Sequence, residues 1–265
     1  MSVQPLLLAL SLLTQLPVAR WLNPETITPD TRAGSVHWYL PVAALIGGIL
    51  ASVQGLVLNQ LPASLAAAVI LLAWVLVTGA LHLDGLADCA DAAAAHHGDR
   101  ERTLSVFKSP TVGAMAVVAV NLLLLLKFAL LHTLMSQQTS LWVLPAAALI
   151  GRGAAVIYML TTAYAREQGL AINLLSSGKA ATGRNTLIAL QIIGWLCLLA
   201  WLLPWRPLLL ALVLCAVFVF SWRRFWLVRI NGYVGDCLGA TIEITEVLVL
   251  VAIVVGQSPV ALLER

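Results

Sequence analysis

Apolar residues in this chain come in long runs, with neither the every-other-residue alternation of a half-buried strand nor the one-sided stripe of a soluble helix. A hydrocarbon core of about 30 Å needs roughly 20 apolar residues per spanning helix. The stretches that qualify lie near 40–58, 63–81, 112–131, 141–162, 186–204, 207–221 and 238–257. The sixth is short, and Pro204 with Pro207 marks a tight turn between it and the fifth, so a helical hairpin is expected there. The pattern predicts an all-α fold: a polytopic membrane helical bundle of about seven transmembrane helices, with 1–265 as a single integral membrane domain. Residues 1–35 read as an N-terminal interfacial segment. Met1 to Leu13 resembles a signal peptide in apolarity, but no basic residue precedes it and no small-x-small cleavage site follows, so it is expected to be retained.

Composition sharpens this. Hydrophobic residues make up 61% of the 265 and charged ones only 10%, with a mean hydropathy of +0.95, which leaves too little polar surface to coat a soluble domain. The net charge of +3 gives no argument for nucleic acid. Placement of the charges says more. Arg20 and Arg32 precede the first span; Arg100, Arg102 and Lys108, then Arg166, Lys179 and Arg184, then Arg223, Arg224 and Arg229 follow the second, fourth and sixth. The other connections hold only Arg206. The positive-inside rule therefore puts the N-terminus and the long connections in the cytoplasm, and the C-terminus outside. Cys89, Cys197, Cys215 and Cys237 have neither metal-ligand nor disulfide-framework spacing.

Most acidic residues outside the termini fall on that same side. Asp84, Asp88 and Asp91 lie at i, i+4 and i+7 in the run from His82 to Ala92, and on a helix they span only about 60° of one face. Three adjacent carboxylates repel unless a cation sits among them, and Mg2+ is the hard ion that takes one or two carboxylates, waters and substrate phosphates. The plainer alternative is a helix start, with the acids serving as cap and dipole partners. A second set runs from Gly232 to Glu243 and on to Glu246, where Asp236 and Glu243 share a face. Glu243 and Glu246 could instead pair with the intramembrane bases Lys127 and Arg152. Arg152, flanked by Gly151 and Gly153, and Arg166 and Lys179 beyond it are candidates to hold phosphates, as is Lys127. For Lys179 the topological signal alone is a sufficient explanation. His82 points away from the aspartate face, and His96 and His97 sit in a polar loop, so no histidine metal site is expected. No P-loop, GxGxxG, HExxH or GxSxG pattern occurs in a suitable context.

This set suits a magnesium-dependent phosphotransferase working on a diphosphate, where catalysis is mostly positioning and charge neutralisation. The alternative is a cation-coupled membrane transporter using the carboxylates as an ion path, but no internal repeat is visible and the acids gather at one face rather than at the midplane.

Five motifs stand in order along the chain: Thr14-Gln15-Leu16-Pro17-Val18, the run from Leu81 to Asp91, Gly151-Arg152-Gly153, Tyr164-Ala165-Arg166-Glu167-Gln168-Gly169-Leu170, and Gly235-Asp236-Cys237-Leu238-Gly239-Ala240 with Glu243. They carry a resemblance to the cobalamin synthase (adenosylcobinamide-GDP ribazoletransferase) family. It implies an integral protein of the bacterial inner (cytoplasmic) membrane, with a cytoplasm-facing site, Mg2+ and the lipid bilayer as surroundings. A ribose hydroxyl of α-ribazole, or of α-ribazole 5′-phosphate, would attack the β-phosphorus of adenosylcobinamide-GDP and release GMP, the final step of nucleotide loop assembly. Asp84, Asp88, Asp91, Asp236 and Glu243 would be metal ligands, with Asp91 and Asp236 the catalytic carboxylates and Asp236 either completing the metal shell or accepting the hydroxyl proton. Arg152 and Arg166 would hold the phosphates with help from Lys108, and Lys127 joins them as a substrate-binding candidate from its place within a span. No nucleic-acid partner is implied, and a homo-oligomer is compatible with the resemblance. Two departures stand out: Ala92 where the family usually has Gly after the acid, and Lys108-Ser109-Pro110 where it has a base, Asp and Ser.

Overall fold

A computed structural model describes residues 3–95, 99–166 and 179–257. His96, His97, the run from Glu167 to Gly178 and the side chain of Lys179 lie outside the described residues. Among those described, the chain is helical, and the one strand-like feature is an isolated parallel bridge between Tyr164 and Tyr233.

In chain order the helices are α1 (Gln4–Leu13), α2 (Pro29–Ser35), α3 (Tyr39–Val57), α4 (Ala63–Thr78), α5 (Leu81–Ala94), α6 (Arg100–Val106), α7 (Ala114–Ser136), α8 (Val143–Thr161), α9 (Lys179–Leu202), α10 (Trp205–Ile230) and α11 (Gly235–Gly256). Among the described residues six helical segments are long and apolar enough to cross a membrane, or seven if the bent pair α4 and α5 counts as one. The expected span count is thus recovered, with two differences. The stretch read as one span at 63–81 ends at Thr78, because Gly79 (φ 63) and Ala80 (φ 57) take left-handed conformations and turn α5 by 86° from α4. Glycine adopts that conformation at no steric cost; alanine does so under strain. The short sixth stretch is a 26-residue helix, since Arg223, Arg224 and Arg229 end the apolar run without ending the hydrogen-bonded one.

α8 is apolar and small-residued all round, and it is the most enclosed span, with α11 next. α3 and α11 flank α8; α5, α7 and α10 pack on α11; α4 lies against α7. α9 stands at the periphery. Glycines set how closely these helices meet. A Cβ on Gly47 would fall 2.5 Å from the backbone of Pro145, and one on Gly85 would fall 2.7 Å from the carbonyl oxygen of Asp236. The second contact lays the acid-bearing α5 across the start of α11.

Candidate active site

The acidic face is built from α5, the first turn of α11 and the segment leaving α8. Asp84 is exposed and Asp88 half-buried on one side of α5, while His82, Leu83, Gly85, Leu86, Cys89 and Ala92 are buried on the other. Ala92 therefore fills the core behind the acids. Gly85 and Gly239, the latter against the backbone of His82, bring α5 and α11 together and place Asp236 beside the Asp84 and Asp88 face. Burial, and then the charges of Asp236, Asp84 and Asp91, push the Asp88 carboxyl up to about 6, against a smaller opposing pull from Arg166. That mutual repulsion is what a divalent cation would relieve.

Arg166 reaches this face through backbone pairing. Ala165 N–H donates to Tyr233 O at 2.9 Å and Tyr233 N–H to Ala163 O at 3.0 Å, so Arg166 and Asp236 leave the same short ladder. The rings of Tyr158, Tyr164 and Tyr233 pack behind it, with Tyr233 5.6 Å from Tyr158 and 5.5 Å from Tyr164 between centroids. Arg100 fastens the ladder by donating to Ala165 O at 2.8 Å and Ile230 O at 3.2 Å. Arg166 also hydrogen-bonds the Tyr164 phenol. Its Nε and Nη2 are buried without a partner among the described residues. Two buried guanidinium donors beside clustered carboxylates form a fork ready for an anion. Sequence reasoning assigns no function to Tyr164, Tyr233 or Arg100; Tyr164 lies in one of the family-like motifs, and Arg100 is visible there only as topological charge.

The structure regroups several expected site residues. Asp91, expected as a metal ligand and catalytic carboxylate, reaches the start of α7, where its two oxygens accept from Gly113 N–H at 2.6 Å and Ala116 N–H at 2.9 Å and so cap that helix. Glu243, expected as a metal ligand, is an ion-pair partner, with Oε2 3.0 Å from Lys127 Nζ at 2% exposure. Lys127 also meets Glu246 at 2.6 Å and lies 4.1 Å above the Trp74 ring, while Arg152 pairs with the other oxygen of Glu246. Trp74 Nε1 donates to Glu246 as well, and His82 Nδ1 stands 3.5 Å from Arg152. Lys127 and Arg152, expected to bind substrate, thus sit in a buried, charge-balanced cluster, where bases deep in the bundle meet opposite charges. Among the described residues no group of three or more His, Cys, Asp or Glu is arranged to hold a metal ion. Lys108 is exposed just beyond α6, and the Ser109 hydroxyl bonds that of Thr111 at 2.6 Å.

The run Thr14 to Val18 meets the bend between α4 and α5. Gln15 N–H donates to Val77 O at 2.9 Å, and the Gln15 side chain packs on Gly79. This N-terminal motif thereby braces the base of the acidic helix.

Residues 5–254 match the family model described as cobalamin-5-phosphate synthase. The chain is 40% identical over 249 residues to the adenosylcobinamide-GDP ribazoletransferase of Pseudomonas fluorescens, covering 94% of this chain and 98% of the relative. It is 41% identical over 250 residues to the enzyme of that name from Stutzerimonas stutzeri (94% and 97% covered) and 37% over 253 residues to that of Acinetobacter baumannii (95% and 97%). The transporter alternative finds no support among these relatives. No solved structure matches the chain.

Proposed function

Because the chain belongs to the cobalamin-5-phosphate synthase family, we propose that its acidic face joins adenosylcobinamide-GDP to α-ribazole or α-ribazole 5′-phosphate, with release of GMP. The observation that carries the placement is the meeting of Asp84, Asp88 and Asp236 with donors of Arg166 that have no partner among the described residues.

The donor set fits Mg2+ held by one or two carboxylates and completed by water and substrate phosphates, and does not fit an all-protein cage. Asp84 and Asp88, one turn apart on the same face, would hold the ion, which would neutralise charge on the diphosphate. Arg166 binds the diphosphate oxygens through its fork and steadies the charge that builds on departing GMP. Asp236, across the helix crossing from Asp88, accepts the proton of the ribose hydroxyl as its oxygen bonds to phosphorus. The bond from that phosphorus to the GMP oxygen breaks, and a phosphodiester remains. The distribution of basic residues supports an inner-membrane protein whose site faces the cytoplasm.

The test is GMP release by the purified protein in liposomes, with adenosylcobinamide-GDP and α-ribazole, across a magnesium series. Wild type is expected to require the ion, and Asp88→Ala to lose turnover while still inserting and folding. Near-normal turnover of Asp88→Ala at every magnesium concentration would overturn the ion's placement.

A further inference from the structure

Away from the acidic face, a cavity of about 480 Å³ lies between α8, α9 and α10. Its walls are almost wholly apolar, including Leu149, Ala154, Trp195, Ala216 and Phe220, and among the described residues its charged side chain is Arg223 at one end. The α8 wall runs from Leu149 to Thr161, about 18 Å at 1.5 Å per residue. That is close to one leaflet, half of a hydrocarbon core of about 30 Å. Among the described residues α9 lines only the deep part, through Ile192 to Leu199, whereas Ile157, Thr161, Phe220 and Arg223 continue beyond it. The groove is therefore left, among the described residues, without an α9 wall toward Thr161 and Arg223.

Arg223 is fixed at that rim. Its Nη2 donates to Thr161 O at 2.8 Å, and its Nε to the same oxygen at 3.2 Å and to Thr162 Oγ1 at 3.0 Å. These bonds engage Nε and Nη2, and among the described residues none engages the Nη1 protons, which an anion could take up. Arg224 adds positive charge next to it in the chain. A slot one leaflet long, apolar along its length and cationic at its mouth, has the polarity of a phospholipid and not of a nucleotide or a corrinoid.

We propose that this groove holds one acyl chain of an anionic glycerophospholipid, whose phosphate is bound by Arg223. The lipid then wedges between α9 and the body of the bundle. This accounts for a span that, among the described residues, touches α8 and α10 so sparingly.

The test uses the full-length protein in phosphatidylcholine vesicles doped with phosphatidylglycerol carrying a diazirine on its acyl chain. Mass spectrometry then maps the photolabel. The label is expected to favour Trp195, Cys215 and Phe220 several-fold over the lipid-facing Leu122 and Leu125 of α7, and to be displaced by unlabelled phosphatidylglycerol. Ala216→Trp should cut groove labelling several-fold; should that variant fold poorly, Ile157→Trp at the open rim serves as the same block. Arg223→Gln should remove the preference for phosphatidylglycerol over labelled phosphatidylcholine. Equal labelling of α7, indifference to both blocking variants, or displacement by α-ribazole in place of the lipid would overturn the proposal.

Discussion

Asp88 and Asp91 are one turn apart on α5, yet Asp91 has both oxygens engaged by backbone N–H groups while Asp88 faces other acids. The two should therefore fail differently. Asp91→Ala removes the α7 cap and should cost about 1 kcal/mol of stability, with magnesium dependence of turnover unchanged in form. A thermal melt paired with a magnesium titration checks both halves. Asp88 has a carboxyl raised to about 6, above its ordinary range in the unfolded chain, so the folded state holds that proton more tightly. The stability this contributes is present at low pH and is lost as pH rises through about 6. Without metal, wild type should accordingly melt lower at pH 8 than at pH 5, and Asp88→Asn should lessen the decline while abolishing GMP release. An equal pH 5-to-8 decline in both proteins, measured in chelator, would contradict the repulsion. Arg166→Lys keeps the charge but loses the planar fork, and should slow transfer on the order of 10²-fold. Single-turnover rates at saturating substrate would separate this from weakened binding.

At the scale of the element, the site depends on a crossing: α5 passes over the first turn of α11 with glycine at both contacts. Gly85→Val drives its side chain into the carbonyl of Asp236, so the helices must separate. Overpacking of this kind costs about 1–3 kcal/mol. Turnover should fall much further than stability, because the acids of α5 move relative to Asp236. Comparing the loss of rate with the shift in melting temperature tests this; a proportional decline would make the crossing merely structural. The bend that frees α5 was not legible from hydropathy, since Leu81 continues the apolar run and the break comes from backbone conformation at Gly79 and Ala80. Spans themselves were legible because lipid demands uninterrupted apolar stretches, and the acids of α5 shared a face because helical geometry leaves little choice. Which acid would serve in capping was not, since Asp91 finds its partners at Gly113 and Ala116, across an intervening helix. Depth had the same effect on Glu243, which lies two turns beyond Asp236 and so falls among bases and not at the open face.

For the whole molecule, the cluster of Lys127, Arg152, Glu243 and Glu246 ties α7, α8 and α11 together, while Trp74 adds α4. Lys127→Met should destabilise the bundle by about 3–5 kcal/mol, because it strands the buried Glu243 carboxylate, while Glu246 keeps Arg152 and Trp74. Adding Glu243→Gln to that variant should recover part of the loss, which a double-mutant cycle of unfolding in detergent would register. The cluster also bears on how the protein is made. Lys127 and Arg152 leave the ribosome well before Glu243 and Glu246 exist, and a lone base near a helix centre costs about 2.5–3.5 kcal/mol to insert. The early helices therefore enter the bilayer with uncancelled positive charge, and their final seating waits for the last hydrophobic segment of the nascent chain to arrive.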